Sequence, residues 1–243
     1  MPETGEGENV VGAPGWQSRW VARYYSNRAG WQDGTQEFHA ACASVLAAGR
    51  NVLEVGAGAS NPTSDFLGSR YELDAADIDE AVLTNRSARR SFVIAPNGAL
   101  PVPSRSVDAC VSNWVLEHLD DPRRHFDEIA RVLRPGGAYV FRTPNLYHYV
   151  ALASAATPHS VHRLLANRLR RLEGAHEPWP TRYRANTRRR VRALAAAAGL
   201  ETVSLRTIEK EPSYGMSSRT LFMTFMAYER VVNATEWLAT FRS

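Results

Sequence analysis

The apolar positions of the chain change period several times. Trp16 to Gly30 (WQSRWVARYYSNRAG) is aromatic and basic with helical spacing, and Thr35 to Ala48 reads as a helix with Phe38, Cys42, Val45 and Leu46 on one face and Gly49 as its stop. The short apolar run Asn51–Val55 ends in Gly56-Ala57-Gly58 and predicts a buried strand entering a tight turn. A helix follows over Asn61–Leu67, with Pro62 suited to its first turn. Tyr71–Ile78 predicts a second strand, Glu80–Arg90 a helix, Ser91–Ala95 a third strand and Val107–Asn113 a fourth. Asp121–Leu133 predicts a helix closed by Arg134-Pro135-Gly136-Gly137, and Ala138–Arg142 a fifth strand.

Strands alternating with helices imply a parallel sheet wound by right-handed crossovers, hence an α/β fold. The rhythm breaks over Asn145–Arg182, which reads as an inserted helical lid. It resumes with a helix over Thr187–Ala198, capped by Gly199, and a sixth strand over Glu201–Ile208. In the tail, Phe222, Phe225, Met226 and Glu229 keep helical spacing, which favours a C-terminal helix over a seventh strand. The resulting division is a disordered leader over 1–15 and a single domain over 16–243, with a core at 49–145, the lid at 146–185 and a C-terminal part at 186–243.

Composition narrows the class. The 243 residues suffice for one large domain, and 44% hydrophobic with 22% charged residues is ordinary for a globular protein. No apolar run approaches the roughly 20 residues of a membrane span. The leader lacks the basic start and apolar core of a signal peptide, so a cytoplasmic location is expected. Cys42 and Cys110 lie in apolar patterns without metal-ligand spacing and read as buried thiols, with neither disulfide nor zinc. The net charge is +4, with Lys210 the only lysine. The densest basic stretch (Arg182, Arg184, Arg188, Arg189, Arg190, Arg192) reads as a solvated helix face, with a nucleic-acid footprint as the rival reading.

Ligands of wound α/β sheets sit beyond the carboxyl ends of the strands. There, Gly56 and Gly58 let the backbone approach a ligand closely. Asp77 ends the next strand about 20 residues on, where a carboxylate accepts from both hydroxyls of a ribose. Together they point to a nucleoside cofactor. A dinucleotide fold calls for a third small residue in the glycine pattern, where this chain has Asn61 followed by Pro62. Glu54 suits a cationic ligand better than a pyrophosphate. S-adenosylmethionine, with an ammonium, a sulfonium and no phosphate, meets that description.

NVLEVGAG, ADID, NGALPVPSRSVDACVSNWVLEHLDDP and RVLRPGGAYVFRTPN follow one another in the order of the motifs of class I S-adenosylmethionine-dependent methyltransferases. Over roughly Asn51–Asn145 the chain resembles that family, in particular the subgroup around the quinone-biosynthesis enzymes. The resemblance implies a Rossmann-like doubly wound sheet with helices on both faces. It also implies residue roles. Glu54, Gly56, Ala57 and Gly58 would cradle the methionine half of the cofactor, Asp77 the ribose and Ile78 the adenine. Asn97 and Gly98 fall where the family has an adenine-contacting Asp; Asn97 is a departure whose amide can still accept a hydrogen bond. Ser112, Asn113 and Trp114 would line the methyl-transfer region. Tyr24 or Tyr25 would reach over the cofactor carboxylate, or serve only in packing.

Methyl transfer from a sulfonium is an in-line displacement, so the protein mainly aligns the nucleophile and excludes water. His118 follows the fourth strand and suits a general base near neutral pH; a structural histidine is the competing reading. His148, His159 and His162 lie in the lid. The lid's Leu146-Tyr147-His148-Tyr149-Val150 run and Leu164-Leu165 favour a small hydrophobic or aromatic acceptor, such as a secondary metabolite, with Tyr25, His148 and Tyr149 as candidate contacts. No metal-ligand spacing occurs. A nucleic-acid or protein methyltransferase and a non-catalytic cofactor-binding scaffold are the rival functions. The tail helix would pack internally or across a homodimer.

Overall fold

The computed structural model describes residues 15–146, 180–208, 216 and 218–240, the last of these (232–240) as backbone. Five parallel strands form one sheet in the order β3-β2-β1-β4-β5. They are β1 (Asn51–Val55), β2 (Glu72–Asp77), β3 (Arg90–Val93), β4 (Val107–Asn113) and β5 (Leu133–Arg142). The chain winds outward from β1 to β3, then crosses back to lay β4 on the other side of β1. The order reverses between β1 and β4, and this switch point is where such sheets bind ligands.

Alternation along the strands sends successive side chains to opposite faces. Leu53, Val55 and Cys110 pack with Ile129 and Val132 of α4 (Pro122–Val132). Val52, Leu73, Ala109 and Val111 pack with Phe38 and Cys42 of α2 (Gly34–Val45) and Leu67 of α3 (Pro62–Gly68). Cys42 and Cys110 are buried free thiols. Leu116 and Phe126 join Val191 and Leu194 of α5 (Arg188–Ala197) in a further cluster. A fourth cluster joins the N-terminal helix α1 (Trp16–Val21), which continues as a π-helical turn over Ala22–Ser26, to α6 (Arg219–Thr240) through Trp16, Trp20, Tyr25, Phe222 and Met226.

Helix starts follow local chemistry. Asp33 accepts from the N–H groups of Thr35 and Gln36 while Gln36 reaches back, a capping box. Asn61, Asp121 and Thr187 cap α3, α4 and α5 through their side chains. The tail is helical, in keeping with its periodicity.

The structure departs from the sequence pattern in four places. Over Glu80–Arg90 only the 3-10 turn Glu80–Thr84 forms, because the buried Asn85 turns away and donates to the Gly58 carbonyl and Ser64 Oγ. The strand expected over Ala138–Arg142 begins already at Leu133, directly after α4, so Arg134–Gly137 bulges out of β5 where its pairing shifts register between Val107 and Ala109. Glu201–Ile208 is not a strand; Leu205 packs on the Leu116 cluster while Val203 is 93% exposed, so the segment has no continuous face to bury. Val45 is exposed, leaving Phe38, Cys42 and Leu46 as the inner face of α2. Most of the expected lid lies outside the described residues. Among those described, no helix is long and apolar enough to cross a membrane.

Candidate active site

The site begins where β1 and β4 part. Gly56 has φ +80°, and a Cβ there would lie 2.3 Å from Val115 Cγ2, so only glycine lets the two loops meet. Gly58 has φ +57° with nothing within 4 Å of the space its Cβ would take. Its N–H donates to Asp77 Oδ2 at 2.8 Å, and Asp79 N–H donates to Asp77 Oδ1 at 3.0 Å. Each carboxylate oxygen keeps a second lone pair for a ligand. Beside Asp77, Ile78 exposes 58% of its surface at the end of β2, an apolar plate without a protein cover. An open glycine turn, a fixed carboxylate and an uncovered apolar side chain fit a nucleoside.

Glu54 is placed differently from the sequence expectation. It shares the face of Val52, which turns it toward α3 and buries it to 1% exposure. Ser64 Oγ donates to its Oε2 at 2.6 Å and Asn61 Nδ2 to its Oε1 at 3.2 Å. Burial pushes its carboxyl above the usual range. Glu54 therefore braces the turn from behind. Asn61 and Asn85 complete the brace, Asn61 by donating to the Ala57 carbonyl at 2.8 Å and Asn85 through Gly58 and Ser64. Ala57 is buried within this bracket.

Asn97 is exposed in the turn after β3, its Oδ1 accepting from Ala99 N–H; Gly98 has φ +74° and donates to the Ala95 carbonyl. Ser112 does not line the crevice. It points to the α4 face, where its hydroxyl meets Tyr139 Oη at 2.7 Å, and Tyr139 meets His125 Nε2 at 2.8 Å. Burial lowers the His125 pKa to about 4 and pushes the Tyr139 phenol up.

Asn113, one residue on, points the other way. It donates to Thr63 Oγ1 at 3.0 Å and accepts from Arg142 Nε at 2.8 Å. Trp114 leaves the strand with φ +61°, a strained conformation for a bulky residue, and is 48% exposed. The Arg142 guanidinium lies 5.0 Å from the Trp114 ring and 5.3 Å from Phe38. These residues border a groove of about 1800 Å³ that runs along β5. Pro62 and Trp114 line that groove, whereas Gly56, Gly58 and Asp77 do not.

His118 sits in the 3-10 turn Leu116–His118 with its Nδ1 3.0 Å from the Pro180 carbonyl and its Nε2 4.0 Å from Glu117 Oε1. Glu117 is 4% exposed and accepts from Thr143 Oγ1 at 2.9 Å, and burial raises its pKa. Asn186 donates to Thr143 Oγ1 and to the Pro144 carbonyl, while its own buried Oδ1 has no hydrogen-bond partner. Tyr25 belongs to the aromatic cluster, its hydroxyl donating to Glu229 at 2.5 Å, and Tyr24 packs edge-on against Trp20. His148, Tyr149, His159 and His162 lie outside the described residues. In the basic cluster, Arg182 pairs with Asp120 and Arg184 donates to the Asp120 carbonyl.

Arg142, Glu117, Thr63, Thr143 and Asn186 were absent from the sequence-based site. The signal for Arg142 was a charged residue ending an apolar strand at its carboxyl end. Thr63 and Asn186 carried none, since their partners come from other elements.

Residues 53–141 match the family model described as a methyltransferase domain. A probable S-adenosylmethionine-dependent methyltransferase of Mycolicibacterium smegmatis is 39% identical over 101 residues, 40% of this chain and 39% of the relative. A malonyl-[acyl-carrier protein] O-methyltransferase of Hahella chejuensis is 32% identical over 101 residues, 39% of this chain and 36% of that protein. The matches thus span about two fifths of the length of these curated relatives. An S-adenosylmethionine-dependent methyltransferase structure from Methanosarcina mazei superposes with TM-score 0.51 at 18% identity, covering 74% of this chain and 90% of that one, which shows a shared fold. Residues 53–141 thus match a methyltransferase domain, and over that stretch the chain is similar to S-adenosylmethionine-dependent methyltransferases.

Proposed function

We propose that the protein transfers the methyl group of S-adenosylmethionine to a small acceptor with hydrophobic or aromatic character. The observation that carries this reading is the switch-point turn, in which Gly58 is tied to Asp77 next to the uncovered Ile78. Asp77 would hold the ribose, Ile78 the adenine, with Asn97 nearby, and the Gly56–Gly58 backbone the methionine half. The cofactor supplies a methyl carbon already activated by its sulfonium. What remains for the protein is to align the acceptor behind that carbon and to keep water out.

Half-exposed Trp114 at the mouth of the groove offers an apolar plate for the acceptor. Where the acceptor carries a proton, His118 is the base. Its Nδ1–H donates to the Pro180 carbonyl, which leaves the Nε2 lone pair to take the proton.

Calorimetric titration with S-adenosylhomocysteine tests the reading, run on the wild type and on Asp77→Ala with NADH as control. Micromolar binding, lost in the variant and absent for NADH, is expected. A folded wild type that fails to bind would overturn it.

A further inference from the structure

Arg142 closes β5 at the rim of the groove, and its guanidinium is only partly used. Nε donates to Asn113 Oδ1 at 2.8 Å and Nη2 reaches Thr35 Oγ1 at a long 3.4 Å. Nη1 has no partner among the described residues, and no described carboxylate lies within ion-pair distance of the group. The nearest acids act on it only through space: Asp33 is committed to capping α2, and Glu117 to Thr143. A guanidinium taken partly out of water without a counter-charge is costly, and proteins pair such groups or present them to a ligand. Burial already lowers its pKa.

The setting selects the anion. Trp114 and Phe38 flank the guanidinium, with their ring centroids 5.0 and 5.3 Å away. The two Nη atoms form a planar fork that matches a carboxylate. Asp33 and Glu117 close by disfavour a multiply charged group such as phosphate. Thr35, which also touches the guanidinium, lies in the first turn of α2, where the helix dipole favours negative charge.

We propose that Arg142 anchors a carboxylate on the methyl acceptor, a monoacid whose apolar body lies along Trp114 in the groove. Asn113, held between Thr63 and Arg142, positions the guanidinium. The role of the ligand as acceptor rests on the methyl-transfer reading above; the binding of the carboxylate does not.

The experiment titrates the wild type, saturated with S-adenosylhomocysteine, with acetate, hexanoate, benzoate and phenylacetate, and with benzamide and inorganic phosphate as contrasts. At least one apolar carboxylate is expected to bind, with benzamide and phosphate at least tenfold weaker. Arg142→Met should weaken that carboxylate at least tenfold while S-adenosylhomocysteine affinity stays within about threefold, and Arg142→Lys should fall between, because an ammonium keeps the charge but not the fork. If Arg142→Met does not fold, Arg142→Lys and the carboxylate-to-amide contrast in the wild type carry the same test. Failure of all four carboxylates to bind, equal binding of benzoate and benzamide, tighter binding of phosphate, or indifference to the Arg142 substitutions would overturn the proposal. Loss of S-adenosylhomocysteine binding in the wild type would instead sink the methyl-transfer reading, and repeating the carboxylate titration on the unloaded protein separates the two.

Discussion

The N–H of Gly58 donates a 2.8 Å hydrogen bond to Asp77 Oδ2, fastening the loop after β1 to the end of β2. Asp77 thus shapes the turn and, on our reading, holds the ribose with the same carboxylate. Asp77→Asn keeps the shape and one acceptor oxygen but removes the charge. A hydrogen bond to a charged group contributes roughly 1.5–3 kcal/mol. S-adenosylhomocysteine affinity should therefore fall by about one to two orders of magnitude, with a small drop in Tm. Calorimetry beside a thermal melt checks both.

Gly56 and Gly58 should fail in different ways. Both have positive φ, so alanine is strained at either position. At Gly56 the added methyl also meets Val115, and overpacking adds about 1–3 kcal/mol, so Gly56→Ala should unfold at markedly lower urea. At Gly58 the methyl enters open space. Gly58→Ala should cost only about 1–2 kcal/mol of stability yet weaken cofactor binding more than the stability loss explains. Urea melts paired with titrations separate the two.

His125 makes stability depend on pH. Its pKa falls from 6.5 to about 4 on burial, so between those values the unfolded chain binds a proton that the folded chain does not. Stability is then fully present above pH 6.5 and is lost as pH drops toward 4, by up to roughly 3 kcal/mol. His125→Gln can retain a hydrogen bond to Tyr139 and should flatten this slope. Urea midpoints at several pH values across that window, wild type against variant, are the measurement.

Asn61 caps α3 and also donates to Glu54, Ala57 and Ser64. Asn61→Ala should cost more than the roughly 1 kcal/mol of an ordinary cap, because buried Glu54 loses a donor as well. Asn61→Ala in a Glu54→Gln background should cost less than it does alone. A double-mutant cycle on urea stability reads the coupling.

Strands were legible where apolar runs end in glycine or acid: Asn51–Val55 matches residue for residue, as does Val107–Asn113. The turn at Gly56 and Gly58 and the strand end at Asp77 were legible because both are local features. The bracing role of Glu54 was not legible, because its orientation depends on which face α3 covers, which only tertiary packing decides. The helix expected over Glu80–Arg90 failed for a similar reason, since Asn85 gains more from Gly58 and Ser64 than from another helical turn. Arg142 escaped because its meaning lies in the rings beside it, Phe38 and Trp114, which come from distant parts of the chain.

The hydrogen bond from Tyr25 to Glu229 joins residues 204 positions apart, and Phe222 meets the rings of Tyr25, Trp16 and Trp20 edge-on. The intervening polypeptide is thereby closed into a ring by a noncovalent clasp. A protease cut, a fusion partner or a truncation that disturbs α1 is then felt at α6, and the reverse. Cloning boundaries at the two ends act as one variable, and Trp20 fluorescence reports on a helix some two hundred residues away in sequence.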